Sequence, residues 1–174
     1  MPTSRPYHLS WLCEQVLDLK PKSILDVGFG FGSKGMLFRE YTDVWNGTWT
    51  WGRETQIDGI EIFETYITDL QRLIYNNIYC GDALVLIDQL RKYDLIYIGD
   101  VIEHFSREDG INLLEKMKIH GKTVIVATPV VVSEQGAVYG NEHETHVSQW
   151  TREDFKDCDI KIFGNTMVAV YTTN

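Results

Sequence analysis

Four short apolar runs in this chain each end on an acid, and that repetition restricts the folds open to it. Ser23-Ile24-Leu25 leads to Asp26, the run from Ile57 through Ile60 to Glu61, Ile78 and Tyr79 to Asp82, and Tyr93–Gly99 to Asp100. The last run is almost unbroken, as a central strand covered on both faces requires. Between the runs, apolar residues recur at helical spacing: Met36, Leu37 and Tyr41, then Tyr66, Leu70, Leu73 and Ile74, then residues 83–90. Leu9, Leu12, Val16 and Leu17 predict a further helix over 8–19, and Ser106 with Asp109 reads as the capping pair of one running to about Lys118. A fifth strand is expected at 122–127. Residues 159–163 and 167–171 flank Gly164-Asn165 as an antiparallel hairpin. Strand and helix therefore alternate, which predicts a doubly wound α/β fold. Its sheet is seven-stranded and mostly parallel, with an antiparallel C-terminal hairpin. A chain of 174 residues suits a single domain over 1–174.

The carboxyl ends of the strands border the ligand crevice of such a sheet. One acid there is most simply a solvated strand end or a helix cap. Four acids at equivalent ends line a common site. At the first crossover stands Asp26-Val27-Gly28-Phe29-Gly30-Phe31-Gly32. Glycines at alternate positions let the backbone turn tightly and approach a ligand with no Cβ between. The expectation is a nucleotide-type cofactor pocket. Gly30, Gly32 and Gly35 also fit the spacing of dinucleotide folds, which favours a nicotinamide-dependent oxidoreductase. The acid just before the turn opposes that version, because it would repel a pyrophosphate.

The formal net charge of −9 disfavours nucleic acid as a partner, since neutralised phosphates are the main source of that affinity. No apolar run is long enough to span a bilayer. The N-terminal MPTSRPYHLS lacks the basic-then-apolar order of a signal peptide. Cys13, Cys80 and Cys158 are scattered and odd in number, which gives no disulfide framework and points to a reducing cytoplasm. Residues 42–56 fit neither period and carry Trp45, Trp49 and Trp51. They read as an inserted loop or hairpin whose tryptophans either pack as a satellite cluster or lie over the site.

In this order, the motifs resemble those of the class I S-adenosylmethionine-dependent methyltransferases, a Rossmann-like fold. SILDVGFGFG is similar to the family's first motif and YDLIYIGDVIEHF to its fourth, while Glu61 in IDGIE resembles the family's ribose-holding acid and Asp82 in CGDAL the acid near the adenine amine. The resemblance implies a seventh strand inserted antiparallel between the fifth and sixth, and S-adenosylmethionine as cofactor. It implies that Asp26, Gly28, Gly30 and Gly32 cradle the cofactor. Glu61, with Ile62, would hold the ribose hydroxyls. Asp82, with Ala83, would meet the adenine amine, and Asp100 would close the floor. Carboxylates suit this role because each accepts from two adjacent hydroxyls, and an acid-rich crevice stabilises a sulfonium.

Two stretches are candidates for the acceptor side: Asp100 to His104, and the run from Gly140 to Trp150 within a long connection. His146 is the first candidate for a general base, with His104 and Asp100 beside it and Trp150 packing against the acceptor. Asp100, Glu103, His104 and His146 also make a hard-cation ligand set for Mn²⁺, Fe²⁺ or Zn²⁺. That pattern resembles the metal-dependent methyltransferases of the terminal ribose of small RNAs, departing from them in having Asp100 where they have a glutamate. VGFGFGSKG, FREYTDVW, IDGIEIFE and QGAVYGNEHETHVSQWTREDF resemble small stand-alone bacterial and phage-type methyltransferases. That likeness implies methylation of a hydroxyl, or an amine, of a saccharide-like or small-molecule acceptor; metal-free members of the broad family carry similar D-V-x-E-H and H-x-x-x-W patterns. A non-catalytic cofactor-binding module is the alternative from another class.

Overall fold

The computed structural model describes residues 4–48 and 53–173. Helix α1 (Leu9–Leu19) precedes β1 (Ser23–Val27), α2 (Ser33–Arg39), β2 (Gln56–Glu61), α3 (Asp69–Ile74) and β3 (Asn77–Cys80). Then come α4 (Ala83–Leu86), β4 (Tyr93–Gly99), α5 (Arg107–His120), β5 (Gly121–Pro129), β6 (Asp159–Phe163) and β7 (Thr166–Thr172). The strands form one sheet in the order β3-β2-β1-β4-β5-β7-β6. The pairs among β1 to β5 are parallel, and β7 runs antiparallel between β5 and β6. The expected seven-stranded sheet and its closing hairpin are both present.

The unbroken apolar runs follow from burial on both faces. Leu25, Ile96, Ile98, Val124 and Val126 face a core completed by α5 and Trp150. Their neighbours Ile24, Leu95, Tyr97 and Ile125 face the opposite core, with Leu12 and Val16 of α1 and Phe38 of α2. A strand between two such layers has no position left for a solvent-facing residue.

Two of the helical stretches are broken where the periodicity predicts one helix each. The stretch over 65–75 divides into a 3₁₀ turn, Glu64–Tyr66, and α3. The break falls where Thr68 takes an extended conformation and caps α3 in a reciprocal box with Gln71. Residues 83–90 likewise divide into α4 and a 3₁₀ turn. At α5, Ser106 accepts from the Asp109 N–H, but Asp109 takes the Ser106 hydroxyl instead of its N–H, so only half of the expected box forms. After α2 the chain continues as a π turn, Glu40–Val44. Arg39 ties this region together by donating to Asp43, Asn76 and the carbonyls of Thr55 and Ile74.

Trp45 is 66% exposed and contacts the Tyr41 ring, as an edge cluster would. Trp49 and Trp51, the other two tryptophans expected there, lie outside the described residues. No helix among the described residues is long and apolar enough to cross a membrane.

Candidate active site

The site lies along the carboxyl ends of β1, β2 and β4 and consists of two cavities with a common wall. A cleft of about 280 Å³ is lined by Gly28, Gly30, Glu61, Ile62, Asp82 and Ala83, with Asn141 and His143 opposite. A cavity of about 470 Å³ holds Asp26, Lys34, Tyr97, Glu103 and His146. Gly28, Gly30, Asp100, His104 and Glu144 border both. Most residues expected at the cofactor are thus brought together. Gly32 is the exception: it lines neither cavity and, at φ 86°, turns the chain into α2 beside Ile74 and Gln71.

Glu61 is buried and fixed by two backbone donors, Gly30 N–H at 2.9 Å and Phe63 N–H at 3.0 Å. Each oxygen keeps a second lone pair for a ligand in the cleft. Burial raises the pKa of Glu61, against those same bonds. Asp82 stands just beyond β3 and uses Oδ1 to cap α4 through Leu84 N–H at 2.9 Å, which leaves Oδ2 for the cleft. Asp26 is enclosed and accepts the Tyr75 hydroxyl at 2.6 Å. Burial pushes its carboxyl up to about 6, with Tyr75 and Lys34 pulling the other way.

Gly35 belongs to the packing of this same tyrosine. A Cβ there would stand 2.3 Å from the Tyr75 hydroxyl. The third glycine of the dinucleotide-like spacing is therefore explained by Tyr75, with no phosphate invoked.

Asp100 follows β4 at φ 54°, a left-handed conformation rare for side chains other than Asn and Asp. Its N–H donates to the Ala127 carbonyl at 2.9 Å. This kink puts Asp100 in the wall shared by the two cavities, and such costly conformations concentrate at functional sites.

Beyond it the chain forms a 3₁₀ turn, Ile102–His104, which brings Glu103 and His104 to the long 130–150 connection. The connection is held in place by backbone bonds from Val147 N–H and Ser148 N–H to the Glu103 carbonyl. Gln135 ties it internally, donating from its side chain to Glu144 O and accepting from His146 N–H.

His104 and His146 face each other with ring centroids 4.9 Å apart. His104 Nδ1 bonds the Thr145 carbonyl at 3.1 Å, and His146 Nδ1 bonds the Ser133 carbonyl at 2.7 Å. A carbonyl only accepts, so both Nδ1 atoms carry the proton and both neutral rings present an Nε2 lone pair. Burial, with the charge of His146, holds His104 below the usual histidine pKa.

Glu103 is buried, and Thr128 donates to its Oε2 at 3.0 Å. Burial first, and then the charge of Asp100, push Glu103 up to about 8. One ligand atom each from Glu103, His104 and His146 lie within 4.8 Å of one another. Asp100, the fourth member of the expected cation set, stands outside this cluster. The donor chemistry of the other three, one carboxylate and two imidazoles oriented by carbonyls, suits a divalent cation.

Trp150 does not face the acceptor. It is 1% exposed, packs on Phe155 and Gly110, and donates from Nε1 to Ser148. Its indole is large and apolar enough to fill the core beneath α5, and it anchors the end of the long connection from there. Sequence reasoning missed Lys34 and Tyr97 as lining residues. Lys34 was the legible one, as a cation directly behind the glycine turn. Tyr97 was hidden in the apolar run of β4, where its ring counted towards the core.

The sequence matches no family model and no curated protein. Solved structures do match. The methyltransferase domain of a bacterial CtHen1 has a TM-score of 0.64 at 18% identity, over 97% of this chain and 98% of that one. The N-terminal domain of EvdMO1, solved with S-adenosylhomocysteine and D-fucose, gives 0.66 at 11% identity over 99% and 85%. The small RNA methyltransferase HEN1 gives 0.66 at 16% identity, over 100% of this chain and 27% of that one. At such identities the likeness is one of fold. This chain has the class I S-adenosylmethionine-dependent methyltransferase fold.

Proposed function

We propose that the chain is an S-adenosylmethionine-dependent methyltransferase acting on a hydroxyl of a small-molecule or saccharide-type acceptor. The observation that carries this reading is the wall shared by the two cavities. Adenosine-type groups on the Glu61 side and an acceptor on the His146 side meet there, at Gly28, Gly30, Asp100, His104 and Glu144. Glu61 accepts from ribose hydroxyls, and Asp82 meets the adenine edge. S-adenosylmethionine supplies, when bound, a methyl group already activated by the sulfonium charge. The protein's part is alignment, exclusion of water and removal of the acceptor proton. His146 takes that proton on Nε2, which its Ser133 bond leaves unprotonated. The neighbour solved with S-adenosylhomocysteine and D-fucose supports both the cofactor and a sugar-like acceptor.

Calorimetric titration with S-adenosylhomocysteine tests the first half, and an acceptor panel with radiolabelled methyl donor tests the second. Glu61→Ala is expected to weaken cofactor binding strongly. His146→Ala is expected to spare binding and lower turnover. Equal loss of affinity in both variants would overturn this division of roles. Binding without methyl loss on every acceptor would instead favour a non-catalytic binding module.

A second reading is favoured by the clustering of Glu103, His104 and His146. In it these three would hold a divalent cation, which would supply charge to lower the pKa of the acceptor hydroxyl. The motif resemblance of these residues to terminal-ribose methyltransferases of small RNAs extends this to such an acceptor, and a small RNA methyltransferase is among the fold neighbours, whereas the net charge of −9 opposes a long polyanion. Titration with Mn²⁺ after chelation separates the two readings. Binding that His104→Ala abolishes supports the metal, and activity undiminished in chelator rejects it.

A further inference from the structure

The larger cavity contains a cation that no described residue pairs with. Lys34, on the first turn of α2, is half-buried and lines this cavity beside Asp26, Gly28, Gly30 and Asp100. Among the described residues, its ammonium makes no hydrogen bond and has no carboxylate within the 4.0 Å of an ion pair. This is unusual in a chain of net charge −9, where acids are plentiful. Lys116, Lys118 and Lys122, by contrast, each pair with a carboxylate away from the site. A half-buried ammonium loses hydration and regains little unless an anion meets it. Burial accordingly lowers the Lys34 pKa, while Asp100 and Asp26 act from a distance to raise it. Arg5 is the cavity's second cation, at its exposed rim.

The positions of these charges suit a zwitterion. An amino-acid end carries an ammonium and a carboxylate on one carbon. Asp26 and Asp100 offer acceptors for the ammonium, and Lys34 a donor for the carboxylate. A ligand whose nucleoside fills the smaller cleft must pass the shared wall at Gly28 and Gly30 to reach them. Lys34 follows that glycine turn by only two residues, whereas His146, Ser133 and Gln135 of the acceptor side belong to the long connection.

We infer that Lys34 binds the carboxylate of the cofactor's amino-acid end, opposite Asp26 and Asp100, which take its ammonium. The inference rests on the reading of the smaller cleft as the S-adenosylmethionine site. It assigns Lys34 to the cofactor and not to an anionic group on the acceptor.

The test compares two ligands on the full chain: S-adenosylhomocysteine, and 5′-methylthioadenosine, which lacks the amino-acid end. Lys34→Met keeps the length and removes the charge. Its Kd for S-adenosylhomocysteine is expected to rise roughly ten- to hundred-fold, the range for a lost hydrogen bond to a charged group. Its Kd for 5′-methylthioadenosine is expected to stay within about two-fold, and Lys34→Arg to recover much of the loss. The melting temperature of Lys34→Met without ligand is expected to be unchanged or higher, because an unpaired half-buried charge is gone.

Equal weakening of both ligands would make Lys34 structural and overturn the inference. No change in either Kd would also overturn it, and would leave an anion on the acceptor as the partner. Failure of the unaltered protein to bind either ligand would sink the cofactor reading itself, an outcome distinct from both.

Discussion

The Tyr75 hydroxyl donates to Asp26 Oδ2 across 2.6 Å and so joins the end of α3 to the floor of the candidate active site. Both groups are enclosed, and the bond keeps the carboxylate aimed at the cavity while helix and strand stay in register. Tyr75 also packs against Phe29 of the glycine turn, the two rings tilted with centroids 4.6 Å apart. One side chain thus fixes both the acid and the turn that precedes α2.

Asp26 should set a pH dependence of stability. Burial raises its pKa from 3.8 to about 6, with Glu61 adding to the rise and Tyr75 and Lys34 opposing it. The folded state therefore holds this proton more tightly than the unfolded state. Its contribution to stability is complete below the unfolded value and is lost as pH rises through about 6. Asp26→Asn, which keeps an acceptor for Tyr75, is expected to flatten the stability profile between pH 4 and pH 7 and to raise the melting temperature at pH 8. Affinity for S-adenosylhomocysteine should fall in the same variant. Thermal melts across pH without ligand, followed by calorimetry, check both halves. A variant less stable than the parent at pH 8 would contradict the assignment.

Trp150 is expected to behave as a core residue. Trp150→Ala should cost about 3–5 kcal/mol in chemical denaturation, as large-to-small core substitutions do. Whatever fraction remains folded should bind S-adenosylhomocysteine with nearly the parent affinity, because no cavity wall is lost. Weakened binding by fully folded protein would return Trp150 to the site.

The layered fold and most of the cofactor cleft were legible because they rest on local pattern. Strand runs, glycines and terminal acids occupy consecutive positions, and Asp26, Glu61 and Asp100 need only the end of a strand to be placed. What the sequence hid depends on contacts between distant segments. The Glu103 carbonyl receives Val147 N–H and Ser148 N–H, so the connection's path is set by a group far earlier in the chain, which no periodicity encodes. Trp150 was misread because a tryptophan after a histidine suggests a site equally well in a loop or a core. Thr68 divides one helical pattern into two elements because its own cap outweighs the propensity of its neighbours.

The long connection should depend on Tyr66. Its hydroxyl donates to Glu144 Oε1 at 3.0 Å, and Glu144 borders both cavities. Tyr66→Phe removes one hydrogen bond to a charged group, worth roughly 1.5–3 kcal/mol locally. Amides of residues 135–146 are expected to exchange hydrogen faster, with those of β4 and β5 unchanged. Uniform loss of protection would mean that Tyr66 supports the whole fold.

Gly28 is the position where the turn tolerates no side chain. Its φ is 69°, and a Cβ there would stand 2.4 Å from Val101 Cγ2. Two costs add in Gly28→Ala: about 1–2 kcal/mol for the left-handed backbone and about 1–3 kcal/mol for overpacking. Only the second depends on Val101. Combining Gly28→Ala with Val101→Ala is therefore expected to be less destabilising than the sum of the two single changes, by about 1–3 kcal/mol in a double-mutant cycle. The remaining deficit should match the backbone cost. Strict additivity would mean that Val101 moves aside freely, and that the glycine serves the turn's conformation alone.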